Sequence, residues 1–259
     1  MSVTLPYGDA REFEGKVALV TGGSRGIGRA IALAFARLGC RVAICYRQSQ
    51  EAAEAVCADA RAAGGEMRAY MADVGQSDAA RGLVNAVVTD YGRIDILVNN
   101  ASVFPRTPVV DITDEEWEET LRSGLYSTFY CSRAVLPHMI EQGGGIIVNL
   151  GSIAGKRGSR FHAAYAAAKG GVFAFTRSLA KEAIPYGIRV NAVCPGRVET
   201  EIFGSQLDEA ERERFLREAP IGRLSTPEEV ASAVVFLASS ASSYVVGESL
   251  DVDGGLVMD

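Results

Sequence analysis

Thr21-Gly22-Gly23-Ser24-Arg25-Gly26-Ile27-Gly28 is the stretch from which the fold reads outward. It follows an apolar, β-branched run at 16–20 and opens an amphipathic stretch at 27–38. That makes it a glycine-rich turn from a predicted strand into a predicted helix. Glycines there let the backbone bend tightly and approach a pyrophosphate, which rests on the helix N-terminus. The spacing is G-x-x-x-G-x-G rather than G-x-G-x-x-G, and a plain strand-to-helix turn has the same composition. The string also matches G-x-S-x-G, the turn that presents a nucleophilic serine, with His138 and His162 downstream of Ser24. Against that rival, one strand alone precedes Ser24 and the bulky Arg25 follows it.

Strand-like runs recur at 16–20, 41–45, 67–72, 94–99, 145–150, 188–193 and 249–252. Helix-like stretches at 27–38, 51–63, 78–91, 114–140, 161–184 and 227–238 separate them. The alternation predicts an α/β fold, a doubly wound parallel seven-stranded sheet with helices on both faces. Thr226-Pro227-Glu228-Glu229 marks a helix start, with Thr at the N-cap, Pro at the first position and Glu at the third. No linker interrupts the pattern, so 15–259 reads as one domain behind an N-terminal extension at 1–14. The segment 201–223 breaks the rhythm. It is dense in charge, follows a Pro-Gly turn and is amphipathic over 207–216. A surface helix explains it, and so does a lid over a ligand; its place at a strand end favours the lid.

Composition narrows the function. The 259 residues carry 26 Lys and Arg against 32 Asp and Glu, a net charge of −6, which speaks against nucleic-acid binding. An apolar content of 48% excludes intrinsic disorder. The five cysteines are scattered, odd in number and never spaced C-x-x-C. A disulfide framework or a metal site is therefore not expected, and a reducing cytoplasm is. The window 230–247 is uncharged but holds five serines, which argues for a buried helix, a turn and a strand start instead of a membrane span.

Ser152 follows the fifth strand-like run, and Tyr165 and Lys169 lie four apart on one face of the next helix. A cation beside a phenol favours the phenolate, lowers its pKa and makes it a usable acid or base. Tyr-x-x-x-Lys alone also fits a solvated helix face. The neighbours Ala163, Ala164, Ala166, Ala167, Ala168, Gly170 and Gly171 weaken that reading, since they let a backbone or a ligand come close.

With these residues in place the sequence resembles the short-chain dehydrogenase/reductase family from Gly15 to Gly255. The matching motifs are the glycine turn, Asp73-Val74, Asn99-Asn100-Ala101, Ser152 with Tyr165 and Lys169, Pro195-Gly196-x-x-x-Thr200 and Asp251-Val252-Asp253-Gly254-Gly255. The nearest subgroups are the 3-oxoacyl-carrier-protein reductase-like and the sugar or polyol dehydrogenase-like members, which one sequence does not separate.

The resemblance implies a Rossmann fold with NAD(P) across the carboxyl ends of the strands and a small-molecule carbonyl or alcohol as substrate. Tyr165 would then protonate the carbonyl oxygen, Ser152 would orient it, and Lys169 would lower the Tyr165 pKa and hold the nicotinamide ribose. Asp73 would bond the adenine beside Val74, Asn99 and Ala101 would line the cleft, and Pro195, Gly196, Val198 and Thr200 would hold the nicotinamide amide. A cytoplasmic homotetramer, built through the helices 114–140 and 161–184, is the family's usual assembly.

Two positions depart from the family pattern. Gly124 stands where the family has a catalytic Asn, and Ser102 stands where it has Gly. Glycine bends a helix readily, and its carbonyl is open to a water, so activity is expected to survive. A cofactor-binding protein with weak or no catalysis is the alternative that Gly124 suggests.

The predicted second strand ends at Tyr46-Arg47 with no Asp or Glu for an NAD ribose. Arg47, with Arg25 in the glycine turn beside Ser24, suits a 2′-phosphate, which favours NADP(H) over NAD(H). Both arginines also read as merely solvated. Lys156, Arg157 and Arg160 lie between Ser152 and Tyr165, so they rim the expected substrate mouth or form a solvated loop; Glu199 and Phe203 are substrate contacts by position alone.

Overall fold

Seven apolar runs become seven parallel strands: β1 (Val17–Thr21), β2 (Arg41–Tyr46), β3 (Glu66–Met71), β4 (Ile96–Asn99), β5 (Gly145–Leu150), β6 (Ile188–Pro195) and β7 (Ser249–Val252). The computed structural model describes residues 10–204 and 208–258, so 1–9 of the expected extension and 205–207 of the expected lid lie outside the described residues. The strands form one sheet in the order β3-β2-β1-β4-β5-β6-β7, with every neighbouring pair parallel. This is the doubly wound arrangement expected from the alternation. Strands buried on both faces need no polar alternation, and β1 and β4 are buried along their whole length.

The helices are α1 (Gly26–Arg37), α2 (Gln50–Ala62), α3 (Ser77–Tyr91), α4 (Asp114–Leu121), α5 (Ser127–Glu141), α6 (Ile153–Arg157), α7 (Ala163–Ala183), α8 (Glu201–Gly204), α9 (Glu209–Glu218) and α10 (Pro227–Ala238). The apolar stripes of α1, α2 and α10 cover one face of the sheet, and those of α3, α5 and α7 cover the other. All five cysteines are buried, with free thiols. The chain runs outward from β1 to β2 and β3, then returns through α3 to β4 on the other side. At that reversal the loops after β1 and β4 part, which opens a crevice at the carboxyl ends of the strands.

Three expected elements change. The stretch 114–140 is α4 and α5 joined by a π-helical turn, Arg122–Tyr126, with Gly124 inside it. The helix expected from 161 begins at Ala163, because Phe161 has φ +68°, a left-handed backbone that a helix interior does not admit. The amphipathic stretch after 201 forms α9, started by a capping box of Asp208 and Glu211, while α6 and α8 are too short to show a period. Thr226 caps α10 as its motif predicts, accepting from Glu229 N and receiving the Glu229 side chain at its own backbone N–H. Among the described residues no helix is long and apolar enough to cross a membrane.

Candidate active site

The crevice holds a cavity of about 350 Å³ above the carboxyl ends of the central strands. Of the residues expected on the cofactor, Gly22, Ser24, Arg25, Gly26, Ile27, Gly28, Tyr46, Arg47, Asp73, Val74, Ala101, Tyr165, Lys169, Pro195, Gly196, Val198 and Thr200 line it. Asn99 does not. The last residue of β4, it is directed into the buried layer, where Nδ2 donates to Asn149 Oδ1 at 2.8 Å and to Ser132 Oγ at 3.0 Å. Asn100 takes its place at the cleft, and its side-chain amide donates to the carbonyls of Thr21 and Gly22 at 2.9 and 3.1 Å.

The glycine turn is held against the loop after β4. Gly22 has φ +65°, and a Cβ there would meet Ala101 Cα at 3.0 Å. Thr21 Oγ1 accepts from the backbone N–H groups of Asn100 and Ala101 at 2.9 and 3.0 Å. The N-cap of α1, Arg25, offers no side-chain acceptor, so the first N–H groups of the helix open toward the cleft. A cradle of glycines at a helix N-terminus, with cations at its rim, fits a dinucleotide. Asp73 also lines the cleft, its Oδ1 accepting from Gly75 N at 3.1 Å.

At the cation rim, Arg25 is exposed and carries no ion pair among the described residues. Arg47 is not free: it is paired with Glu119 of α4. No carboxylate stands in the loop Tyr46-Arg47-Gln48-Ser49.

Ser152, Tyr165 and Lys169 meet at the far end of the cleft. Ser152 caps α6, its Oγ accepting from Ala154 N at 3.2 Å, and its side chain bonds the Tyr165 hydroxyl. Lys169 is 3% exposed; its Nζ donates to Leu150 O at 2.7 Å and stands 5.6 Å from the Tyr165 ring centre. Burial lowers the Lys169 pKa to about 8. Burial pushes the Tyr165 phenol up to about 12, partly offset by the Ser152 hydroxyl bonded to it. The expected lowering of Tyr165 by Lys169 does not appear: burial of the phenolate dominates, and the bond from Ser152 is what opposes it.

Aromatic rings wall the substrate side. Phe104 meets Tyr165 edge-on at 4.8 Å, stacks on His162 at 4.1 Å and lies 6.5 Å from Phe203, which stacks on Phe215 of α9 at 5.9 Å. Arg106 and Glu211 form a two-pronged pair that fastens α9 to the loop after β4, one prong measuring 3.0 Å. The sequence reading missed Phe104 and Arg106. Their signal, an aromatic and a cation a few residues past Asn99-Asn100-Ala101, means little before α9 is placed beside them.

Four other candidates are placed differently. Lys156 pairs with Asp251 at 2.7 Å and Arg157 donates to Leu256 O at 3.3 Å, so both stitch α6 to the C-terminal segment and neither lines the cleft. Arg160 lies over the Phe161 ring, 4.4 Å from its centre. Glu199 pairs with Arg212 of α9 instead of facing the cleft. Phe203 does line it. The Gly124 carbonyl, expected to be open, accepts the Thr128 hydroxyl at 2.8 Å. No triad forms around Ser24. His138 opens on a separate groove beside Ser77 and Arg81, and His162 Nδ1 is 2.7 Å from Pro105 O.

Comparison with known proteins identifies the family. A family model described as Enoyl-(Acyl carrier protein) reductase matches residues 22–257. A 3-oxoacyl-[acyl-carrier-protein] reductase of Synechocystis is 41% identical over 244 residues, covering 94% of this chain and 97% of its own length. One of Thermotoga maritima is 41% identical over 245 residues, covering 95% and 99%. A crystal structure of a candidate short-chain alcohol dehydrogenase from Sinorhizobium meliloti superposes with a TM-score of 0.90 at 35% identity, covering 94% of this chain and 96% of that one. The hydrolase reading of Ser24 falls with these matches. The chain is an oxidoreductase and belongs to the short-chain dehydrogenase/reductase family, whose members bind a nicotinamide cofactor.

Proposed function

We propose that the chain reduces a ketone or aldehyde to an alcohol, or runs the reverse reaction, with NADP(H) preferred over NAD(H). The observation that carries this reading is the meeting of Ser152, Tyr165 and Lys169 at one end of a cleft whose other end has Arg25 and Arg47 and no acid on the β2 loop. The nicotinamide ring, when bound, supplies or accepts the hydride.

The protein's own groups do the rest. With its pKa near 12, Tyr165 holds its proton at neutral pH and can deliver it to a carbonyl oxygen. Ser152 holds that oxygen against the phenol. Lys169 keeps a buried positive charge below pH 8, beside the place where negative charge would develop. The N–H groups of α1 and the two arginines hold phosphate. Phe104 and Phe203 exclude water from the reacting carbonyl, and α8 with α9 acts as a lid over it.

The relatives' names suggest a 3-oxoacyl group as substrate. A binding role without catalysis rested on Gly124, where a π-helical turn interrupts the helix without an Asn. We expect one domain, a homotetramer and a cytoplasmic setting, as in the family.

The test follows NADPH absorbance with a 3-oxoacyl thioester and a panel of simple ketones. Tyr165→Phe is expected to lose about 10²–10⁴-fold in kcat with NADPH affinity nearly unchanged. No turnover of any carbonyl by the wild type would refute the reaction. Tighter binding of NADH than of NADPH would refute the cofactor.

A further inference from the structure

We propose that Glu119 sets how strongly the chain prefers the phosphorylated cofactor, by competing for Arg47. The inference rests on the NADP(H) reading and names a residue that tunes it. Gly23 N donates to Cys45 O at 3.2 Å, which pins the glycine turn to the end of β2. Arg25 and Arg47 each lie two residues beyond that bond, and both line the cleft. Neither Gly22–Gly28 nor Tyr46–Ser49 contains a carboxylate.

The acid comes from elsewhere. Glu119, 72 residues along the chain on α4, pairs with Arg47, and its other oxygen is 3.7 Å from Arg122. Glu119 does not itself line the cavity, so it acts through Arg47 as a positioning residue.

A phosphate and a carboxylate seek the same guanidinium fork. With Glu119 on Arg47, one prong of the guanidinium already has an anionic partner. An incoming 2′-phosphate must share the fork or displace the carboxylate. A cofactor with a free 2′-hydroxyl brings no charge to that spot and meets no such penalty. Glu119 therefore weakens the phosphorylated cofactor and leaves the other untouched. The Arg47 and Glu119 side chains are 43% and 37% exposed, so solvent screening limits the effect to a few-fold.

The experiment measures Kd for NADPH and NADH by fluorescence titration of four proteins: wild type, Glu119→Gln, Arg47→Gln and the double variant. Glu119→Gln is expected to tighten NADPH about two- to five-fold and leave NADH unchanged. In the Arg47→Gln background the same change is expected to do nothing, which a general structural role would not produce. Unchanged or weaker NADPH binding in Glu119→Gln overturns the inference, as does an equal shift for both cofactors or a tightening that survives without Arg47. If Arg47→Gln alone leaves NADPH binding intact, the phosphate contact on which the cofactor reading relies falls too. If Arg47→Gln loses NADPH while Glu119→Gln changes nothing, this inference alone falls.

Discussion

The Ser102 hydroxyl oxygen stands 3.1 Å from the point where a side chain at Gly124 would begin, and Ala168 Cβ closes the other side at 3.3 Å. The two departures from the family pattern are therefore neighbours in space, and each makes sense of the other. Restoring Asn at 124 alone would crowd Ser102. We expect Gly124→Asn to destabilise the fold by about 1–3 kcal/mol, the usual range for overpacking. Adding Ser102→Gly should recover part of that loss, leaving the pair non-additive by at least about 0.5 kcal/mol. Urea denaturation of the two single variants and the double one measures the coupling, and strict additivity would show that the positions are independent.

Lys169 keeps a charge out of water for the sake of the site. Its pKa falls from 10.5 to about 8, so the unfolded chain binds its proton more tightly than the folded one between those values. Below pH 8 the folded protein carries the full penalty, and above 10.5 it carries none. Lys169→Met should therefore be the more stable protein at pH 7, by on the order of 3 kcal/mol less whatever the lost bond to Leu150 O contributes. The gap to wild type should close as pH rises from 8 to 10.5. The buried thiols, whose pKa values are raised, destabilise both proteins alike at high pH, so the difference between denaturation midpoints isolates Lys169.

Glu211 is held to a pKa of about 2 by its bond to Arg106. A lowered carboxylate pKa means that the stability the pair contributes is fully present above 4.5 and is lost as pH falls from there through 2. Arg106→Gln should loosen α9 already at neutral pH. Limited proteolysis within 199–223 should be faster for that variant at pH 7, and the two proteins should converge in acid. Equal cleavage at pH 7 would mean that the pair fastens nothing.

Phe104 touches both His162 and Tyr165, so Phe104→Ala should open the wall above the phenol. We expect kcat/KM for a ketone to fall at least about ten-fold, with cofactor Kd unchanged and about 1–2 kcal/mol of stability lost with its ring contacts. A matching fall in cofactor affinity would place Phe104 in the cofactor's half of the cleft instead.

The layout of the sheet was legible because it rests on local periodicity. Gly145–Leu150 and Ser249–Val252 come out with the boundaries their β-branched runs suggest. The glycine turn and the serine, tyrosine and lysine were legible because their spacing is local and their residue types rare in combination. Asn99 and Asn100 show where that ends: one peptide step decides which faces the crevice, and adjacent asparagines look alike in a string. Pairing hides further still. Lys156 and Arg157 look like a basic rim until Asp251 and the Leu256 carbonyl are beside them, and Arg47 looks free until α4 folds back with Glu119. Such partners are set by topology, and no window along the chain contains both.

The capping bond at Ser152 has one more consequence. Ala154 N–H already donates to that hydroxyl. That bond uses one of the two lone pairs of Oγ and turns the hydroxyl proton away from α6. An oxygen before it, phenol or carbonyl, can receive that proton. The start of a five-residue helix thus orients the hydroxyl at the site's centre. Threonine would preserve it, whereas alanine would remove both the donor and the helix start.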